Sequence, residues 1–188
     1  MRHEDESDAA LIARSQRNDR DAYAVLVRRY QDVSFRTALV ILRDAADAED
    51  AAQAAFIKAW LALDRFRTGA PFRPWLLRIV ANESKNLRQA RHRHDSRLDP
   101  DPDALFATAD HGPGPEPIVV SAEEGAWLLA HVATLREEDR IAIACRYLLD
   151  LTEAETAAVL DCPRGTVKSR LSRALGRLRE RIDEEGRA

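Results

Sequence analysis

Apolar positions recur at intervals of three and four along most of this chain, the spacing that gathers them on one face of an α-helix. Tyr23, Leu26, Val27, Tyr30 and Val33 form one such stripe. Ala52, Phe56, Ala59, Trp60 and Leu63 form a second, inside an alanine-rich run whose start Asp44 or Asp47 can cap. Gly69 and Pro71 then break helical propensity. Pro74 suits the first turn of a third helix, which carries Trp75, Leu76, Ile79 and Val80 and runs to about Arg91. These elements predict a first helical domain over residues 15–94. The stretch HDSRLDPDPDALFATADHGPGPEP holds five of the chain's eight prolines and no sustained period, so residues 95–120 read as a linker. Helical spacing resumes near Ser121, a candidate cap, and again over 137–149 with Ile141, Ala144, Cys145 and Leu148 as apolar positions. The expected fold class is all-α: two small helical domains, the second over 121–182, joined by a flexible acidic linker.

The segment LTEAETAAVLDCPRGTVKSRLSRALGRLRE is the most legible part of the second domain. Thr152 and Glu155 have the spacing of a capping box, and Ala154, Ala157, Ala158 and Val159 keep the short helix behind them slim. LDCP makes a turn, with Asp161 or Cys162 near the cap of the next helix and Pro163 in its first turn. That helix buries Val167, Leu171, Ala174, Leu175, Leu178 and Ile182. Arg164, Lys168, Ser169, Ser172 and Arg173 lie on its other faces. Two short helices across a tight turn, the second basic and exposed, match a helix-turn-helix reader of the DNA major groove. Arg164, Lys168 and Arg173 can reach bases or phosphates, and Thr166 and Ser169 suit phosphate positioning.

Composition changes the picture only when it is divided along the chain. The 188 residues hold 29 Lys and Arg against 32 Asp and Glu, a formal net charge of -3 that by itself points away from nucleic acid. Residues 65–93 nevertheless carry eight basic side chains and one acid, and residues 162–181 carry seven and one. Residues 95–124 reverse the balance, with eight acids and one arginine. Blocks of this kind focus a local potential on a polyanion. No run of 18 apolar residues is present, the acidic start MRHEDESDAA is unlike a secretory signal, and two cysteines suit a reducing compartment. No nucleophile–base pair or phosphate-binding glycine loop stands out, and His92 and His94 lack further ligands nearby. No catalysis, no cofactor and no metal are therefore expected.

DAEDAAQAAFIKAW, FRPWLLRIVANESKNLRQARHR and GTVKSRLSRA, in this order and spacing, strongly resemble the extracytoplasmic-function (ECF) group of the sigma-70-type RNA polymerase sigma factors. The resemblance covers residues 18–94 and 121–182. It implies that Asp47, Asp50, Gln53, Phe56 and Trp60 dock on a coiled coil of the polymerase's largest subunits. It likewise implies that Phe72, Trp75, Asn82, Lys85, Asn86, Arg88 and Arg91 open and read the -10 element, with the loop at about 63–70 holding a flipped base. Arg164, Thr166, Lys168, Ser169, Arg170 and Arg173 would read the -35 element. Two positions depart from the family's pattern: Asn86 where an Asp is common, and Thr156 where a bulky aliphatic residue is usual. The partners implied are core RNA polymerase, promoter DNA and an anti-sigma factor, for a cytoplasmic chain that is monomeric when free or bound one-to-one. The other reading of the residues is a dimeric helix-turn-helix regulator with an N-terminal sensing or dimerisation domain.

Overall fold

The computed structural model describes residues 6–98, 131–132 and 134–185, and every regular element among them is helical. They fall into two units, Met1–Ala107 and Thr108–Ala188. The first comprises α1 (Asp8–Ser15), α2 (Arg20–Leu42), α3 (Ala45–Ala62), a 3-10 turn (Leu63–Arg65) and α4 (Phe72–Leu98). The second comprises α5 (Glu137–Ile143), which continues as a π-helical turn (Ala144–Leu148), then α6 (Glu153–Leu160) and α7 (Arg164–Glu185). Most of the segment expected as linker, and the helix expected from Ser121, lie outside the described residues.

The first three helices of the first unit start where a short polar side chain offers an acceptor to the unpaired N–H groups. Ser7 Oγ accepts from Ala10 N, and Asp19 Oδ1 from Ala22 N at 3.0 Å. Of the two candidate caps of α3, Asp44 serves: its Oδ1 accepts from Asp47 N at 2.8 Å. Arg43 turns the chain after α2 in the left-handed region, at φ 63°. The core gathers Leu11, Leu26, Leu63, Leu76 and Val80 around an alanine face of α3, made of Ala48, Ala51, Ala52, Ala55 and Ala59. Side chains of one carbon let α2 and α4 both pack closely on α3. Ser15, Thr37 and Ser84 are buried polar residues whose hydroxyls donate to the carbonyl four residues earlier, so no further partner is needed.

In the second unit the capping box forms as expected. Thr152 N donates to Glu155 Oε2 at 2.8 Å, and Glu155 N donates to Thr152 Oγ1 at 3.3 Å. Three details differ from the sequence reading. Leu148 is 46% exposed, because the helix passes into a π turn closed by Leu149 N on Ala144 O, five residues back. The wider turn rotates Leu148 away from the face that Ile141, Ala144 and Cys145 bury. Leu175 is 37% exposed, since α5 and α6 cover only the narrow line of Val167, Leu171, Ala174 and Leu178. Pro163 precedes the first turn of α7 as its cap residue, and its carbonyl accepts from Thr166 N at 2.9 Å. Asp161 closes α6 in the left-handed region, at φ 51°.

Thr156 is fully buried, and its hydroxyl has no hydrogen-bond partner among the described residues. A buried hydroxyl left unpaired costs roughly 1–3 kcal/mol of desolvation. Thr156→Val keeps the shape and removes the hydroxyl, so it should raise stability by about 1 kcal/mol, or roughly 4 °C in Tm. Thermal unfolding of the two proteins measures this, and a lower Tm for the valine variant would contradict it.

Candidate nucleic-acid interface

The first unit presents two different surfaces on neighbouring helices. On α3, Asp50 and Gln53 are exposed, and Ile57 and Leu61 continue their line at 62% and 72% exposure. Spacings of three and four put all of them on one face, opposite the buried alanines. Phe56 lies in the core behind that face, and its carbonyl accepts from the Tyr23 hydroxyl at 2.6 Å. Trp60 is half-buried at the rim, its ring 4.9 Å from Tyr23. Asp47 is buried and ion-paired to Arg91, a residue expected at the DNA surface. This pair ties the first turn of α3 to the far part of α4. Burial pushes the Asp47 carboxyl above the usual carboxylate range, against the downward pull of the Arg91 guanidinium.

On α4 the residues expected at the -10 strand divide by role. Phe72 is in the core, packed edge-on against Phe66 and 5.5 Å from both Tyr30 and Trp75. Trp75 is half-buried, with Phe66 behind it at 4.8 Å. Asn82, Asn86 and Arg91 are exposed, and Lys85 and Arg88 are partly so. A second ion pair, Lys58 to Glu83 at 2.6 Å, again crosses from α3 to α4. It takes up Glu83, the one acid of this basic block.

On α7, Arg164, Lys168, Ser169 and Arg173 are exposed and Thr166 is half-buried near the helix start. Ser169 Oγ donates to Thr166 O at 3.0 Å, and Arg173 Nε donates to Ser169 O at 3.2 Å. Arg170 differs from the expectation of a surface reader. It is half-buried and paired at 2.9 Å with the largely exposed Glu138 of α5, while Arg177 pairs with the buried Asp139. Among the described residues, no three potential metal ligands come together and no helix is long and apolar enough to cross a membrane.

Residues 26–94 match the family model of sigma-70 region 2, and residues 126–178 that of sigma-70 region 4. The RNA polymerase sigma-H factor of Pseudomonas aeruginosa is 38% identical over 185 residues, covering 95% of this chain and 93% of that protein. The ECF RNA polymerase sigma-E factor of Escherichia coli is 37% identical over 188 residues, covering 95% of this chain and 94% of that protein. This chain belongs to the ECF group of the sigma-70 family. It is an alternative sigma factor, a transcription initiation factor. Two solved structures share the fold of this sigma factor. CnrH in complex with the cytosolic domain of CnrY has a TM-score of 0.67 at 26% identity, over 95% of this chain and 99% of that one. The Bartonella quintana sigma factor RpoE in complex with the anti-sigma factor NepR has a TM-score of 0.61 at 25% identity, over 84% and 96%.

Sequence reading of this sigma factor missed Ile57 and Leu61, although their signal was present. Two large aliphatic residues follow Gln53 by four and eight positions on a helix whose opposite face is already filled by alanine. The raised Asp47 pKa couples the stability of the fold to pH. The native state holds the Asp47 proton more tightly than the unfolded chain does. Unfolding free energy therefore falls as pH rises through the window above the carboxyl's ordinary 3.8. The Tm difference, wild type minus Asp47→Asn, should fall between acidic and neutral pH. A difference that grows would mean that the attraction of Arg91 outweighs burial.

Proposed function

We propose that this sigma factor binds core RNA polymerase through the outer face of α3, with Asp50, Gln53, Ile57 and Leu61 as the contact line and Trp60 at its edge. Asp47 and Phe56 hold that face from behind. The observation that carries this reading is the exposed aliphatic pair beside a carboxylate and an amide, on a helix whose opposite face is packed by alanine. Large apolar side chains left in water next to polar ones are the makings of a protein interface, and a carboxylate suits a basic coiled coil.

The basic face of α4 carries the -10 strand in this reading. Lys85 and Arg88 track phosphates while Arg91 stays paired with Asp47, and Asn82 and Asn86 offer hydrogen bonds to bases or sugar. The loop that follows the 3-10 turn receives a base extruded from the duplex, against the half-exposed Trp75. Capturing such a base offsets the cost of unstacking it, a few kcal/mol, so opening proceeds without a nucleotide-driven motor. On α7, Arg164, Lys168 and Arg173 read the -35 duplex, Thr166 and Ser169 position its backbone, and Arg170 orients the helix through Glu138. An anti-sigma factor is the further partner, as CnrH and RpoE were each solved with a bound protein. The chain acts in the cytoplasm, one copy per polymerase.

Transcription from genomic DNA by core polymerase plus the purified chain tests the whole. Starts that depend on the added chain support the proposal, and their absence with any promoter of its own genome would sink it. Within that assay, Ile57→Ala and Leu61→Ala should each weaken core affinity by about tenfold, while Asp47→Asn stays within about twofold of wild type. Arg173→Ala should weaken -35 duplex binding and leave core affinity unchanged. Equal loss of both would contradict the division of labour between the two units.

A further inference from the structure

We infer that Gln16 is a positioning residue for base selection at the upstream edge of the melted strand, holding the loop between α3 and α4 in the shape that receives an extruded base. The inference rests on the base-capture reading of that loop given above. Gln16 follows the last residue of α1, and its Nε2 donates to two backbone carbonyls distant in sequence, Leu63 O at 2.9 Å and Phe66 O at 3.0 Å. Leu63 is the C-cap of α3 and Phe66 that of the 3-10 turn, so both acceptors lie where a helix end has carbonyls to satisfy. Phe66 N already donates to Leu63 O, so one side-chain amide bridges both ends of the turn that launches the loop.

The other end of the loop is fastened to the same helix. Phe72 opens α4 against the ring of Tyr30, and the Tyr30 hydroxyl donates to Asp8, the first residue of α1. Arg29 adds an ion pair to Asp8 and a hydrogen bond to Glu6 O at 2.9 Å. Between these anchors Arg67, Thr68, Gly69 and Pro71 are exposed, and Gly69 takes φ +87° with open space around it. An exposed stretch of this length holds one shape only if its ends are fixed. Fixing them before binding removes the ordering cost that the captured base would otherwise have to offset. Gln16 is polar and only half-buried, and both of its hydrogen bonds end on this turn, so they act on the shape of the loop more than on the core. Residue 16 also lies ahead of the residues 26–94 that match sigma-70 region 2.

The test uses the full chain bound to core polymerase and a pool of premelted bubble templates that carry every base at the upstream non-template positions. Sequencing the retained templates gives the preference for each base. Wild type should enrich one base at one position, and Gln16→Ala should lower that enrichment by about tenfold, as two lost positioning hydrogen bonds imply. Gln16→Glu keeps the shape but turns a carboxylate toward the two carbonyls, and should lower enrichment at least as far. A variant that merely folds less well binds every template less and leaves the ratio intact. An unchanged ratio in Gln16→Ala therefore overturns the inference, whatever the thermal stability of the variant. If wild type enriches no base, the base-capture reading of the loop fails, and the assignment of Gln16 fails with it.

Discussion

The alanine face of α3 is the constraint on which the first unit depends. Ala48, Ala51, Ala52, Ala55 and Ala59 present single-carbon side chains to both neighbours, and α2 and α4 close on α3 from two sides. A larger residue at any of these positions would push one helix away and create strain or voids through the core. Because this face admits so little volume, the bulk of the helix is expelled elsewhere. Phe56 finds room behind, Trp60 leans on Tyr23 at the rim, and Ile57 and Leu61 are left in water. The tight packing inside and the apolar line outside are consequences of one sequence pattern.

Close packing of α3 on α4 also makes the two proposed surfaces neighbours. Asp47–Arg91 and Lys58–Glu83 cross that interface toward its two ends. Neither pair requires a large net stabilisation to matter. Arg91 and Lys58 are mostly exposed, so water screens the cationic side of each pair even though Asp47 and Glu83 are not. Their effect is register: a helix with a one-carbon contact face has few knobs to fix its sliding, and cross-helix charges supply some. The buried Asp47 carboxylate is held there at the cost that its raised pKa records.

Helix identity was legible because it depends on local spacing and local caps. The stripes of α2 and α4, the capping box of Thr152 and Glu155, and the break at Gly69 and Pro71 all follow from residues within a few positions of each other. What was not legible depends on distant partners. Nothing near Asp47 announces that Arg91 will cover it, and nothing near Arg170 announces Glu138. Leu148 was misread because a single π turn shifts the helical phase, and no residue in ACRYL signals one. Gln16 escaped notice for the same reason: its partners are carbonyls, which carry no sequence signature. The candidate side chains could be assigned to helices from local spacing, but which of them faces out was settled by packing.

The same distinction resolves the small net charge. Read as a total, -3 gives no reason to meet DNA. Read through the structure, part of the positive charge in both units is committed to the fold. Arg170 and Arg177 of α7 turn to Glu138 and Asp139 of α5, as Arg91 turns to Asp47. These pairs fix the orientation of each basic helix on its own unit. Arg164 and Lys168 occupy another side of α7, Arg173 lies beside the paired arginines, and all three reach solvent. A helix that spends some cations on orientation presents the remainder in a fixed geometry. Fixed geometry, more than the amount of charge, is what reading a groove demands.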